Sequence, residues 1–250
     1  MEATARGPNL WQAATLAGRA AETASAATLQ LEVPGFRRHR AGQHVDVRLT
    51  AEDGYQAQRS YSIASAPGEA QPRLTVERID DGEVSPYLVD EMQPGDEMEI
   101  RGPLGGWFVW TVADRGPLLL IAGGSGVVPL MSMLRHRRAE RDETPSRLLL
   151  SARTEADAIY RGELAQLADA GDGLEISTTL TRAAPEGWRG YEGRIDETMI
   201  REVAWAPGER PLVFICGPTE FAEAASNHLV RLGHDPAAIK TERFGPTGGT

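Results

Sequence analysis

The stretch Arg59-Ser60-Tyr61-Ser62-Ile63-Ala64-Ser65 decides how the chain is read, because it sets an arginine, an aromatic ring and hydroxyls within one alternating segment. In a strand successive side chains point to opposite faces, so Arg59 and Tyr61 share one side while Ser60 and Ser62 share the other. A planar flavin needs a ring to lie against, a cation for its phosphate and donors for its edge, and this segment offers all three. An ordinary barrel strand with a surface arginine and a half-buried tyrosine fits the same residues, so the segment alone leaves both readings open.

The flanking chain reads as closely spaced strands. Residues 28–33 alternate and stop at Pro34-Gly35; residues 43–49 alternate after Gly42, and Glu52-Asp53-Gly54 turns the chain into the Arg59 strand. Residues 13–27 are alanine-rich, so propensity suggests helix where the surrounding alternation argues for strand. Residues 73–79 form a further strand. After Asp80-Asp81-Gly82, Ser85 stands at an N-cap position with Pro86 at the first helical position, a start whose free N–H groups and dipole suit an anion, or else simply a capped surface helix. Residues 101–105 close an antiparallel barrel before residues 108–112. Arg37-Arg38-His39-Arg40 interrupts it as a loop, either solvated or a docking patch for an acidic partner.

After residue 114 the grammar changes. Residues 118–122 are a continuous apolar run, as expected of a parallel strand buried on both faces. Runs at 147–151, 174–180 and 212–216 follow, alternating with helical segments near 127–139, 159–170 and 219–233. That order predicts two domains: an antiparallel β-barrel over residues 1–113, then a doubly wound α/β domain with a parallel sheet over residues 114–250. Ligands in such sheets bind beyond the carboxyl ends of the strands. Gly123-Gly124-Ser125-Gly126-Val127-Val128-Pro129 sits there, following one strand and opening a helix. Its glycines admit a pyrophosphate, although Pro129 stands where the standard dinucleotide fingerprint has a small residue. No acidic residue ends the second strand to pair a ribose hydroxyl; Arg153, Arg182 and Arg194 occur near strand ends instead, as a 2'-phosphate site or as solvated arginines.

Composition sets bounds. The 250 residues are 41% hydrophobic and 25% charged, near globular averages, with no apolar run approaching the roughly 20 residues of a membrane span and no signal-like N-terminus, so a cytoplasmic location is expected. A formal net charge of -10 disfavours nucleic acid and anionic membranes as partners. One cysteine, Cys216, cannot supply an iron–sulfur cluster's ligands by itself, and the five histidines (His39, His44, His136, His228 and His234) lack metal-ligand spacing, so no metal site is expected.

Taken in order, Arg59-Ser60-Tyr61-Ser62, Gly82-Glu83-Val84-Ser85, Gly123 to Pro129, Cys216-Gly217-Pro218 and Glu242-Arg243-Phe244 resemble the motifs of the ferredoxin–NADP reductase superfamily across nearly the whole chain. Ser125 departs from the commoner glycine or threonine. The resemblance implies that Arg59, Ser60, Tyr61 and Ser62 hold FAD, that Gly82, Val84 and Ser85 hold its pyrophosphate, and that Phe244 covers its second face. It implies NAD(P) on Gly124, Ser125, Gly126, Cys216, Gly217 and Pro218, with Arg153, Arg182 and Arg194 matching phosphate-binding arginines of NADPH-using members. Ser62 would hydrogen-bond near the flavin N5, Glu242 would hold the nicotinamide or relay protons, and Cys216 would shape the pocket, all in a cleft between the domains. Residues 245–250 follow the aromatic, and their glycines suggest a flexible tail. The expected activity is hydride transfer from NADPH to FAD, then single electrons to a separate carrier such as an acidic iron–sulfur protein. A free-flavin or small-acceptor reductase, or a non-catalytic nucleotide-binding subunit, remain as alternatives.

Overall fold

A computed structural model describes residues 10–245; residues 246–250 of the expected tail lie outside the described residues. The chain forms two units that part between Thr111 and Val112, two residues before the expected boundary, except that Met131–Ala139 belong with the first unit.

In the first unit, β1 (Gln12–Ala21), β2 (Ala26–Glu32), β3 (His44–Thr50), β4 (Gln56–Ser62), β5 (Arg73–Glu77) and β6 (Glu97–Leu104) make an antiparallel sheet in the order β4-β3-β6-β1-β2-β5. The alanine-rich stretch is strand. Ala14 and Leu16 are fully buried at period two, and core burial outweighs the few tenths of a kcal/mol by which alanine favours helix. The sheet curls until its edge strands meet: Ile63 bridges Leu74, and the Ala64 N–H donates to the Arg73 carbonyl at 2.7 Å. Leu29, Leu31, Val45, Val47, Leu74 and Ile100 fill the interior.

The segment after Gly82 departs from the sequence reading. The Leu88 N–H donates to the Val84 carbonyl at 3.1 Å, so Val84 takes the cap position and Ser85 is already helical. The turn then widens into a π-helix over Tyr87–Glu91, with the Met92 N–H on the Tyr87 carbonyl. The Ser85 hydroxyl does not cap the helix; it accepts the Ile79 N–H at 3.0 Å and fixes the turn that precedes it.

Residues Met131–Ala139 are the far part of helix α1 (Val127–Ala139). Ser132 and Arg135 donate to the Ser65 and Ala64 carbonyls at 2.7 and 2.6 Å, and the Trp110 ring meets His136 edge-on. These bonds serve the backbone just beyond β4, where the ladder ends and carbonyls need donors.

In the second unit, β7 (Leu118–Gly123), β8 (Ser146–Thr154), β9 (Leu174–Ala183), β10 (Tyr191–Glu192), β11 (Leu212–Pro218) and β12 (Ile239–Phe244) form an all-parallel sheet in the order β10-β9-β8-β7-β11-β12. Helices α2 (Arg161–Ala168), α3 (Glu197–Val203) and α4 (Thr219–Arg231) complete it with α1's first turn. Helix α4 buries Ala222, Ala225 and Leu229, an i, i+3, i+7 stripe. The chain leaves β7 in one direction and returns to β11 on its other side, so the topological switch point lies between β7 and β11. Among the described residues no helix is long and apolar enough to cross a membrane, and no group of His, Cys, Asp or Glu side chains is placed to hold a metal ion.

Candidate functional site

Strand β4 lies at the sheet edge, paired with β3 in the register Val47↔Arg59 and Val45↔Tyr61. Both valines are fully buried, so Arg59 and Tyr61 share the barrel's inner face near its rim. The Tyr61 ring is half-buried against the core, and burial pushes its phenol above the ordinary value. Arg59 is exposed; it donates to the Gln58 carbonyl at 2.7 Å and lies 3.7 Å from Glu83 Oε2, while Glu83 Oε1 accepts the Tyr55 hydroxyl at 2.6 Å. Glu83 therefore brings the Gly82 turn and β4 together, a link that sequence reading missed.

Ser60 and Ser62 face the other way, opposite Asp46 and His44. The Ser60 hydroxyl donates to Asp46 Oδ1 at 2.6 Å, and Asp46 also binds Arg101, so this hydroxyl is a structural tie and not a partner of Arg59. The half-buried Ser62 hydroxyl has no hydrogen-bond partner among the described residues and remains available as a donor. At Gly82 a Cβ would stand 2.9 Å from the Ile79 carbonyl oxygen and 3.0 Å from Ser85 Oγ, which excludes a side chain. Val84 is in the core, and the Ser85 hydroxyl accepts the Ile79 N–H while keeping its own hydrogen to donate, so this segment offers an anion that hydroxyl together with its backbone N–H groups.

In the second unit the Gly124–Gly126 turn carries β7 into α1 at the switch point. A Cβ on Gly126 would fall 2.0 Å from the Cys216 carbonyl oxygen, so the turn presses directly on the end of β11. The Phe221 ring packs beside Gly123 and Gly217, an aromatic role that its place just after Cys216-Gly217-Pro218 could have suggested. Gly124 and Ser125 are half-exposed. Pro218 and Phe244 are exposed register partners at the ends of β11 and β12.

The registers Ala152↔Leu180 and Leu180↔Glu192 set Arg153, Arg182 and Arg194 at the carboxyl ends of three neighbouring strands. All three are exposed, and none has an ion-pair partner among the described residues. Strand β8 runs on to Thr154, so an acidic residue, Glu155, does follow its end, a correction to the sequence reading. Glu155 pairs with Arg161 at 2.8 Å, and Asp157 accepts the Thr154 hydroxyl at 2.7 Å, so both nearby carboxylates are held locally. This supply of unpaired guanidinium groups fits a phosphate.

Cys216 and Glu242 are register partners on β11 and β12. Burial, then the charge of Glu242, push the Cys216 thiol well up, so it stays protonated. Burial raises the Glu242 carboxyl from 4.5 to about 7, which suits a group that takes or gives a proton near neutrality. Between those values the folded chain keeps a proton that the unfolded chain has lost, so this group's contribution to stability falls as pH rises across the window. Thermal unfolding from pH 4 to 8 is expected to show wild type losing stability relative to Glu242→Gln over about pH 4.5–7. A pH-independent difference between the two would refute the assignment.

Comparison with known proteins follows the same division. Residues 13–109 match the oxidoreductase FAD-binding domain family, and residues 120–227 the oxidoreductase NAD-binding domain family. Ferredoxin–NADP reductase B of Sorangium cellulosum is 40% identical over 182 residues, covering 71% of this chain and 73% of that protein. The glycine betaine monooxygenase reductase subunit of Pseudomonas aeruginosa is 33% identical over 210 residues, which are 82% of this chain but 56% of that subunit, so the chain spans little more than half of this relative. The FAD/NAD-binding domain of Vibrio cholerae nitric oxide dioxygenase has the same fold, with a TM-score of 0.84 at 23% identity over 94% of this chain and 99% of that one. With both family domains in order, a relative of this identity and coverage, and the barrel followed by the doubly wound sheet, the chain belongs to the ferredoxin–NADP reductase superfamily of flavoprotein oxidoreductases.

Proposed function

We propose that the chain is an FAD-dependent NADPH reductase that supplies electrons one at a time to a separate carrier protein. The observation that carries this reading is the switch point of the parallel sheet, where a glycine turn presses on Cys216 beside a near-neutral Glu242 while three unpaired arginines stand on the neighbouring strand ends. Bound FAD supplies the exchange between a two-electron hydride donor and one-electron acceptors. The protein's part is positioning. Tyr61 offers a ring face, Arg59 and the backbone after Gly82 meet phosphate, and Ser62 donates at the flavin edge. Cys216 shapes the nicotinamide pocket, Glu242 holds the nicotinamide amide or moves a proton at its carboxylate, and Phe244 is the aromatic that the family reading assigns to the flavin's second face. The visible spectrum of the purified protein tests the proposal: a flavin band that bleaches with anaerobic NADPH is expected. Flavin lost on gel filtration would favour a free-flavin reductase, and a retained band that NADPH leaves unchanged would favour a non-catalytic subunit.

The carrier is read as a small acidic iron–sulfur protein. Relatives named as ferredoxin and oxygenase reductases support a protein acceptor, and the loop at Arg37, Arg38 and Arg40 supports an acidic one. Those side chains are exposed and have no ion-pair partner among the described residues, in a chain whose net charge is -10. A local basic patch is what such a chain needs to attract an acidic protein. Neutralising all three is expected to slow reduction of an acidic ferredoxin and weaken its salt dependence, while NADPH–ferricyanide activity stays near wild type. Equal loss with both acceptors would mean damage to the flavin unit, and no loss with either would move the docking site elsewhere.

A further inference from the structure

We infer that the Glu83 carboxylate competes with the flavin's pyrophosphate for Arg59, so that this chain holds FAD less tightly than its own arginine allows. The inference rests on the FAD reading above. Glu83 belongs to the turn whose backbone faces an anion, yet its side chain reaches back to the β3–β4 hairpin. There Oε1 accepts the Tyr55 hydroxyl at 2.6 Å and Oε2 lies 3.7 Å from the Arg59 guanidinium. Tyr55 is itself placed by the hairpin turn: its N–H donates to Asp53 Oδ1 at 3.0 Å, and its carbonyl accepts the Ala51 N–H at 2.8 Å. The carboxylate is thus fixed from one side by Tyr55 and presented to Arg59 on the other.

Tyr55 is 57% exposed, and the side chains of Arg59 and Glu83 are 58% and 50% exposed, so this clasp adds little to folding. Its effect falls on ligand binding. A phosphate engaging Arg59 must share the guanidinium with a carboxylate 3.7 Å away, and Tyr55 keeps that carboxylate nearby as a like charge. Both effects weaken binding of a phosphorylated flavin, and neither touches riboflavin, which has no phosphate.

The apoprotein titrated with FAD and with riboflavin, followed by quenching of flavin fluorescence, tests the inference. For Glu83→Gln the dissociation constant for FAD is expected to fall roughly three- to tenfold at low salt, with riboflavin affinity unchanged. In an Arg59→Ala background, where FAD affinity is itself expected to drop at least about tenfold, Glu83→Gln should gain much less, since the contested cation is gone. Unchanged or weaker FAD binding by Glu83→Gln, or an equal gain for riboflavin, overturns the competition while leaving the flavin site intact. Wild-type FAD affinity in Arg59→Ala overturns the Arg59 phosphate site itself, and the competition with it.

Discussion

Gly126→Ala is expected to cost the protein about 3 kcal/mol or more and to lower its melting temperature by about 10 °C. The added methyl would meet the Cys216 carbonyl oxygen at 2.0 Å and the Gly217 nitrogen at 2.8 Å, and both are backbone atoms of a central strand. No flexible side chain can move aside, so the turn or β11 must shift by more than an ångström, and the neighbouring ladder bonds shift with it. The same displacement moves the turn that opens α1, so affinity for an NADP affinity resin should fall as well. Gly208→Ala is the control: nothing lies within 4 Å of its Cβ position, and its melting temperature should stay at wild type. An unchanged melting temperature for Gly126→Ala would show that the turn and β11 are not in contact as described.

Replacing Arg182 with alanine is expected to lower kcat/KM for NADPH by about 10- to 100-fold, the value of one charge-assisted hydrogen bond, while NADH changes little. Only NADPH carries the 2'-phosphate, so the loss should appear in KM and leave kcat near wild type. Removing Arg153 and Arg194 as well should deepen the loss and bring the two coenzymes toward equality. Steady-state kinetics with both coenzymes decides it. A wild-type preference for NADH would overturn the assignment and direct attention to Glu155, the carboxylate next to the end of β8, whose present partner is Arg161.

Much of this architecture was legible because burial leaves a period in the sequence. Val45 and Val47 alternate with polar residues because one face of β3 is packed and the other is wet, whereas residues 118–122 are apolar throughout because β7 is covered on both faces. Of the elements that leave no such mark, β10 has two residues, α3 has seven and spans under two turns, and β12, with only Ile239 buried, shows neither alternation nor an apolar run. Side-chain roles were harder to see, since they depend on partners distant in the chain. Ser85 has the residue type of an N-cap, but its hydroxyl belongs to Ile79; Ser60 sits in the flavin motif, but its hydroxyl belongs to Asp46, 14 residues away. Nothing local announces that Tyr55 will meet Glu83 across 28 residues, or that Glu155 will be held by Arg161. Arg59 and Tyr61 were placed on a common face because strand alternation fixes that choice alone.

The discontinuity of the first unit has a consequence for how the protein is made. Synthesis runs from the N-terminus, so when Thr111 leaves the ribosome all six barrel strands are present, but Ser132 and Arg135, donors to the Ser65 and Ala64 carbonyls, have not yet emerged. The nascent barrel must wait through β7 and the glycine turn before its last helix arrives. Until then the backbone just past β4 is left to water, and only after residue 139 has emerged does the unit that carries Arg59 and Tyr61 have all its parts.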